Sequence, residues 1–161
     1  MAELSSWGGI RIQIAVVGGG DCSLRVREMA EELGRLLAEE GHTLICGGLG
    51  GVMQAACKGA AESGGTVVGI LPGDRKDANP YVGISVATGM SHARNAIIVR
   101  SSDAVIALPG EYGTLSEIAL ALKMNKAVIS LGSWDIDGTL RAKDPREAIR
   151  LLSRHLGLGI A

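Results

Sequence analysis

Two charged residues sit where apolar, strand-like runs give way to helix-like ones: Arg94 in GMSHARN (89–95) and Glu117 in LPGEYGTLSEI (108–118). A carboxylate and a guanidinium facing one crevice could stabilise a developing cation, orient a water, and hold an anion or a departing group. Spacing leaves Glu117 two roles. Thr114-Leu-Ser-Glu117 has the form of a capping box, in which Thr114 accepts a hydrogen bond at the helix start and Glu117 reaches back to the Thr114 N–H. The same helix N-terminus would keep that carboxylate ionised, which also suits a catalytic anion. Arg94 stands between a solvated surface arginine and a residue reaching the same crevice, and His92 beside it reads as a rim residue. Neither His42 nor His155 joins a metal or triad constellation.

Four polar or Gly-rich loops follow apolar runs: Gly18–Ser23, Gly47–Gly51, Gly89–Arg94 and Gly110–Thr114. Each leads toward a helix start, where free N–H groups and the positive end of the dipole favour phosphate or carboxylate. The expected ligand is therefore small and anionic, with Gly18, Gly19, Gly20 and Gly110 against it. GGGDCS is not G-x-G-x-x-G, no acid ends the second strand to hold a ribose hydroxyl, and G-K-[ST] is missing, so ordinary NAD binding and ATP hydrolysis are disfavoured.

The elements that must position these loops alternate along the chain. Runs 12–17, 43–46, 66–71, 84–88, 103–108 and 127–132 are nearly apolar throughout and read as six strands buried on both faces. Between them, 24–40 places Val26, Met29, Ala30, Leu33, Leu36 and Leu37 on one helix face, ended by Gly41. Further helices are predicted over 52–63, 93–101, 115–124 and 145–156, the last with Pro145 in its first turn. This alternation predicts an α/β, Rossmann-like three-layer fold with a mostly parallel, doubly wound sheet, its ligand crevice at the carboxyl ends of the strands. Residues 72–83 and 132–144 read as the two longer loops.

Composition narrows the rest. The 161 residues suit one domain over 1–161, and with no Phe, two Trp and two Tyr the core must be aliphatic, which favours thin, closely packed layers. A net charge of −1, with scattered basic residues, argues against nucleic acid and anionic membranes as partners. No apolar run approaches the roughly 20 residues of a membrane span and MAELSSWGG is unlike a signal peptide, so a cytoplasmic protein is expected. Cys22, Cys46 and Cys57 lack C-x-x-C spacing and read as small buried or half-buried thiols, with neither a disulfide framework nor a metal site.

Taken together, GGLGGVM (47–53), SHARN (91–95) and PGEYGTLSE (109–117) resemble the Lonely Guy family of nucleoside-monophosphate phosphoribohydrolases, long labelled "possible lysine decarboxylase". MSHARN and GTLSEIALALKMNKAVISLG are similar to the branch containing the molybdenum cofactor carrier proteins. The resemblance covers the first strand to about residue 132. It implies Arg94 and Glu117 as the catalytic pair, Gly113 and Thr114 at the ligand's phosphate, and Gly47, Gly48, Gly51, Val52 and Met53 as the second ligand loop. It also implies homodimers or larger homo-oligomers. By it the ligand is a phosphorylated nucleotide or pterin-type molecule, either hydrolysed to base and ribose 5-phosphate or carried uncleaved as molybdenum cofactor cargo. No required cofactor is implied, and no lysine is prepared for a pyridoxal Schiff base. Two positions depart from the hydrolase pattern: Glu111 stands where P-G-G has its second Gly, and Asn95 where a Lys follows the arginine. Glu111 would repel a phosphate dianion unless it points away, and both changes would weaken hydrolysis.

Overall fold

The computed structural model describes residues 11–158; the signal-peptide reading of residues 1–9 falls outside them. Seven strands form one parallel sheet: β1 (Gln13–Val17), β2 (Thr43–Cys46), β3 (Val67–Leu71), β4 (Ile84–Ala87), β5 (Ala104–Ala107), β6 (Ala127–Leu131) and β7 (Leu140–Ala142). Their order is β4-β3-β2-β1-β5-β6-β7, so the winding reverses between β1 and β5. That places the loops after β1 and β5 side by side at the switch point, where a doubly wound sheet opens its crevice.

Helices α1 (Leu24–Glu39), α2 (Val52–Glu62) and α5 (Pro145–His155) cover one face, packing Leu33, Leu37, Ala56 and Leu152 on Ile14, Val16, Leu44 and Ile106. On the other, α3 (Arg94–Arg100) and α4 (Tyr112–Lys123) bring Ile98, Val99, Ile118 and Ala121 against Ala15, Val17, Val105 and Val128. Each face is thus a slab of aliphatic residues. The caps are local: Ser23 accepts from Val26 N–H ahead of α1, and Asp144 from Glu147 N–H ahead of α5, whose Pro145 opens the first turn.

Two expectations change. The loop 132–144 contains β7, a short strand in which only Ala142 is buried, so neither length nor apolar content announced it. Strand β4 is not buried on both faces: it is the sheet edge, and Ile84 and Val86 are 52% and 41% exposed. The loop 72–83 that precedes it holds a single 3-10 turn at Arg75–Asp77, in which Asp77 accepts from the Asp74 N–H.

Thin layers have a specific origin between α1 and α2. A Cβ on Gly34 would lie 2.0 Å from the Ala56 carbonyl oxygen, and one on Gly59 would lie 1.9 Å from that of Glu31. The backbones meet through these two positions, and no side chain fits between them. Gly34→Ala or Gly59→Ala should therefore destabilise the protein by at least about 2 kcal/mol through overpacking, although alanine alone favours helix by about 1 kcal/mol. Urea denaturation decides the sign; a midpoint unchanged or raised would mean that the helices part without cost.

Candidate functional site

Three loops interlock at the switch point. Gly19 N–H donates to the Pro109 carbonyl at 2.9 Å, and the Gly19 carbonyl accepts from Val52 N–H at 3.0 Å, joining the loops after β1, β2 and β5. Their closeness requires glycine: a Cβ on Gly110 would stand 2.1 Å from Thr114 Oγ1 and 2.8 Å from Gly19 N, while Gly51, at φ +60°, lies under the Gly19–Gly20 backbone.

Between the loops lies a cavity of about 420 Å³. Gly18, Gly19, Gly20, Gly47, Met53, Gly110, Gly113, Thr114, Arg94 and Glu117 all line it. Gly48 and Gly51 do not: Gly48 backs onto Leu71, and Gly51 packs beneath the first loop. Val16, Val17, Asp21, Leu49, His92, Asn95 and Glu111 complete the wall.

The capping box is not formed. Helix α4 begins at Tyr112, two residues before Thr114, and its N-cap residue Glu111 makes no side-chain cap bond. Thr114 and Glu117 therefore lie inside the helix, both buried, and Glu117 is released from capping to face the cavity. The first-turn N–H groups of Tyr112, Gly113 and Thr114 have no carbonyl one turn behind them, as at every helix start, and are available to an anion. Glu111 is exposed and is among the residues that line the cavity.

Arg94 is not a surface residue. It is 7% exposed, as is Glu117, and no ion pair within 4.0 Å joins the two. Instead the Arg94 guanidinium donates to Asn95 Oδ1. Asn95 Nδ2 donates to Ser116 Oγ at 3.1 Å, and Ser116 Oγ donates to the Gly113 carbonyl at 2.6 Å. This chain fixes the guanidinium relative to the first turn of α4, while Arg94 Nε remains a buried donor without a partner. The guanidinium also rests on the Gly47 backbone, where a Cβ would lie 2.7 Å from it and 2.8 Å from Met53 Sδ. Burial lowers the Arg94 pKa, and Glu117 partly opposes this. Burial also pushes the Glu117 carboxyl up to about 7, against the attraction of Arg94. The helix N-terminus does not hold it ionised as the sequence suggested, because removal from water outweighs it.

Sequence reading missed two supports. Trp134 donates from Nε1 to the Gly110 carbonyl at 3.0 Å and stacks on Tyr112, ring centroids 6.2 Å apart, so the loop after β6 braces the loop after β5. Asn79, in the loop after β3, donates its backbone N–H to the Gly48 carbonyl at 2.8 Å and its amide to Leu49 at 2.9 Å. Neither lies in a motif; an isolated Trp and an isolated Asn in polar loops were the only signals.

Comparison with known proteins sets this geometry in context. The model of the SLOG cluster4 family matches residues 11–154. An uncharacterized protein of Archaeoglobus fulgidus is 50% identical over 139 residues, 86% of this chain and 92% of its own. The cytokinin riboside 5'-monophosphate phosphoribohydrolase LOG of rice, Oryza sativa subsp. japonica, is 38% identical over 96 residues, 57% of this chain and 40% of the plant enzyme. The structure of the molybdenum cofactor binding protein of Rippkaea orientalis superposes with a TM-score of 0.88 at 36% identity, covering 92% of this chain and 99% of that one.

The Glu117 shift has a measurable consequence. Below the ordinary value of 4.5 both folded and unfolded chains hold the proton, and above about 7 neither does. Between the two the folded chain keeps a proton the unfolded chain has lost, so this group's contribution to stability falls as pH rises through that window. Glu117→Gln, which cannot ionise, should raise stability at pH 8 by as much as about 3 kcal/mol and flatten the pH dependence between about 5 and 7. Denaturation at pH 5 and pH 8 measures both; an equal loss at the two values would mean that the carboxylate is not buried at a cost.

Proposed function

The chain belongs to the SLOG cluster4 family, and from that premise we propose that its crevice binds a small phosphorylated heterocyclic ligand and hydrolyses nucleoside 5'-monophosphates to free base and ribose 5-phosphate. One observation carries this reading: a buried carboxyl with a pKa near 7 and an unpaired buried arginine share a cavity with the free first turn of a helix. The helix turn supplies N–H donors for the 5'-phosphate. In its ionised form Glu117 stabilises the oxocarbenium-like sugar and orients the attacking water, taking its proton as oxygen bonds to the anomeric carbon. The electron pair of the broken C–N bond leaves with the base, which takes up a proton from solvent as Glu117 gives one back. Arg94 assists that departure or holds the substrate, the Asn95–Ser116 chain keeping its fork in place.

A second reading is non-catalytic carriage of molybdenum cofactor. It is favoured by the near full-length likeness to the Rippkaea protein, where the match to the rice enzyme is partial, and by the two departures from the hydrolase pattern at Glu111 and Asn95. Self-association accompanies either reading, and the exposed Ile84 and Val86 on edge strand β4 offer an apolar surface for it.

Incubation with AMP and other monophosphates, with chromatographic detection of free base, separates the readings. Release should fall at least about 100-fold in Glu117→Ala and Arg94→Ala with the fold intact. No release from any monophosphate, together with tight binding of a phosphorylated pterin, would leave carriage as the function. A further comparison isolates the loop charge: Glu111→Gly should tighten monophosphate binding by several-fold, as expected on removing a like charge beside a phosphate. Unchanged affinity in calorimetry would mean that Glu111 does not face the ligand's phosphate.

A further inference from the structure

Beneath the Gly47–Gly51 loop lie two thiols that the proposed chemistry does not use. Cys46 closes β2 and Cys57 lies in the second turn of α2; both are fully buried, and their sulfurs are 3.3 Å apart. Cys46 Sγ also accepts from the Gly48 N–H at 3.3 Å, and the Asn79 amide approaches Cys57 Sγ at 3.6 Å. The same Asn79 holds the Gly48 and Leu49 carbonyls. The sulfur pair is therefore part of the floor on which the loop, and through Gly47 the Arg94 guanidinium, is seated.

We propose that Cys46 and Cys57 form a peroxide-oxidised dithiol whose disulfide displaces the Gly47–Gly51 loop. Hydrogen bonds from Cys46 and Asn79 favour the Cys57 thiolate, although burial opposes it; its hydrogen bond with Cys57 and burial hold the Cys46 proton in place. Cys57 is accordingly the attacking sulfur. Its thiolate displaces hydroxide from hydrogen peroxide, giving a sulfenic acid, and the hydroxide takes a proton to become water. Cys46 sulfur then attacks Cys57 Sγ, and the sulfenic oxygen leaves as a second water with the Cys46 proton. Two thiols and one peroxide become one disulfide and two waters. Both thiols are fully buried, which favours an oxidant as small as peroxide over a bulky disulfide. The bond draws the sulfurs to about 2 Å, a closure on the order of 1 Å. Because the Gly48 N–H is bound to Cys46 Sγ, movement of that sulfur carries the loop beside Arg94 with it.

The covalent step stands apart from the function proposed above; only its effect on ligand affinity rests on that reading. The folded, full chain is treated with hydrogen peroxide, unfolded in the presence of an alkylating reagent, and digested with trypsin. Peptide 36–58 carries both cysteines and no internal Lys or Arg. It should lose the mass of two hydrogens and escape alkylation, with Cys22 labelled and the change reversed by dithiothreitol. Amide exchange over residues 47–51 should quicken on the order of tenfold. Retained thiols, or oxygen added to the peptide in place of hydrogen loss, would overturn the pair as a disulfide site. A disulfide without altered exchange would overturn its coupling to the loop. In Cys57→Ser, Cys46 should remain alkylatable after the same treatment; its oxidation at the wild-type rate would reverse the order of attack. A changed AMP affinity in the disulfide form extends the coupling to the ligand, while an unchanged one confines it to the loop.

Discussion

The backbone of Gly19 is the junction on which the site depends. Its N–H is bound to the loop after β5 and its carbonyl to the start of α2, so three loops from three strands are tied by one residue at the point where the sheet reverses. Two hydrogen bonds of ordinary strength, each contributing on the order of 1 kcal/mol net, would not position a site unaided. They do so because the chains they connect are already fixed by buried parallel strands, and because glycine at Gly110 and Gly51 allows a backbone approach that any side chain would prevent. The cavity is what remains between loops that cannot come closer.

Much of this geometry was legible because it follows from periodicity and chain reversal. Apolar runs alternating with helical faces specify a doubly wound parallel sheet, and its switch point specifies where the loops meet. What stayed hidden was decided by a few residues whose neighbours come from distant segments. The helix containing Glu117 starts at Tyr112, directly after the extended N-cap residue Glu111, and Thr-x-x-Glu then lies one turn too deep to cap anything. Strand β7 is three residues long and mostly exposed, paired to β6 by backbone alone, so no side-chain pattern marks it. Trp134 reads as an isolated aromatic in a polar loop until its indole N–H is seen to hold the Gly110 carbonyl.

Burial of Arg94 was the least accessible feature of all. An arginine beside a helix start is usually solvated, and nothing local distinguishes this one. Its guanidinium lies against the Gly47 backbone and donates to Asn95, contributions from the loop after β2 and a neighbouring residue that assemble only in the folded chain. That loop rests in turn on Cys46 and Asn79, so a residue at the carboxyl end of β2 reaches the site without touching the cavity.

Arg94 and Glu117 are close enough to alter each other's proton affinity yet do not close into an ion pair. A buried pair in contact would satisfy both charges and leave neither for a ligand. Kept apart, the arginine is held by a neutral amide and retains an unpartnered Nε, and the carboxyl sits near half-ionisation at neutral pH. Each is left with an unmet electrostatic demand: the guanidinium for an anion, the carboxylate for a cation. An anionic ligand alone would raise the Glu117 pKa further and favour its neutral form, whereas a ligand that develops positive charge at the sugar would draw the proton off. The separation of these two side chains thus leaves both charges free to answer a ligand, which the hydrolysis proposed above would require.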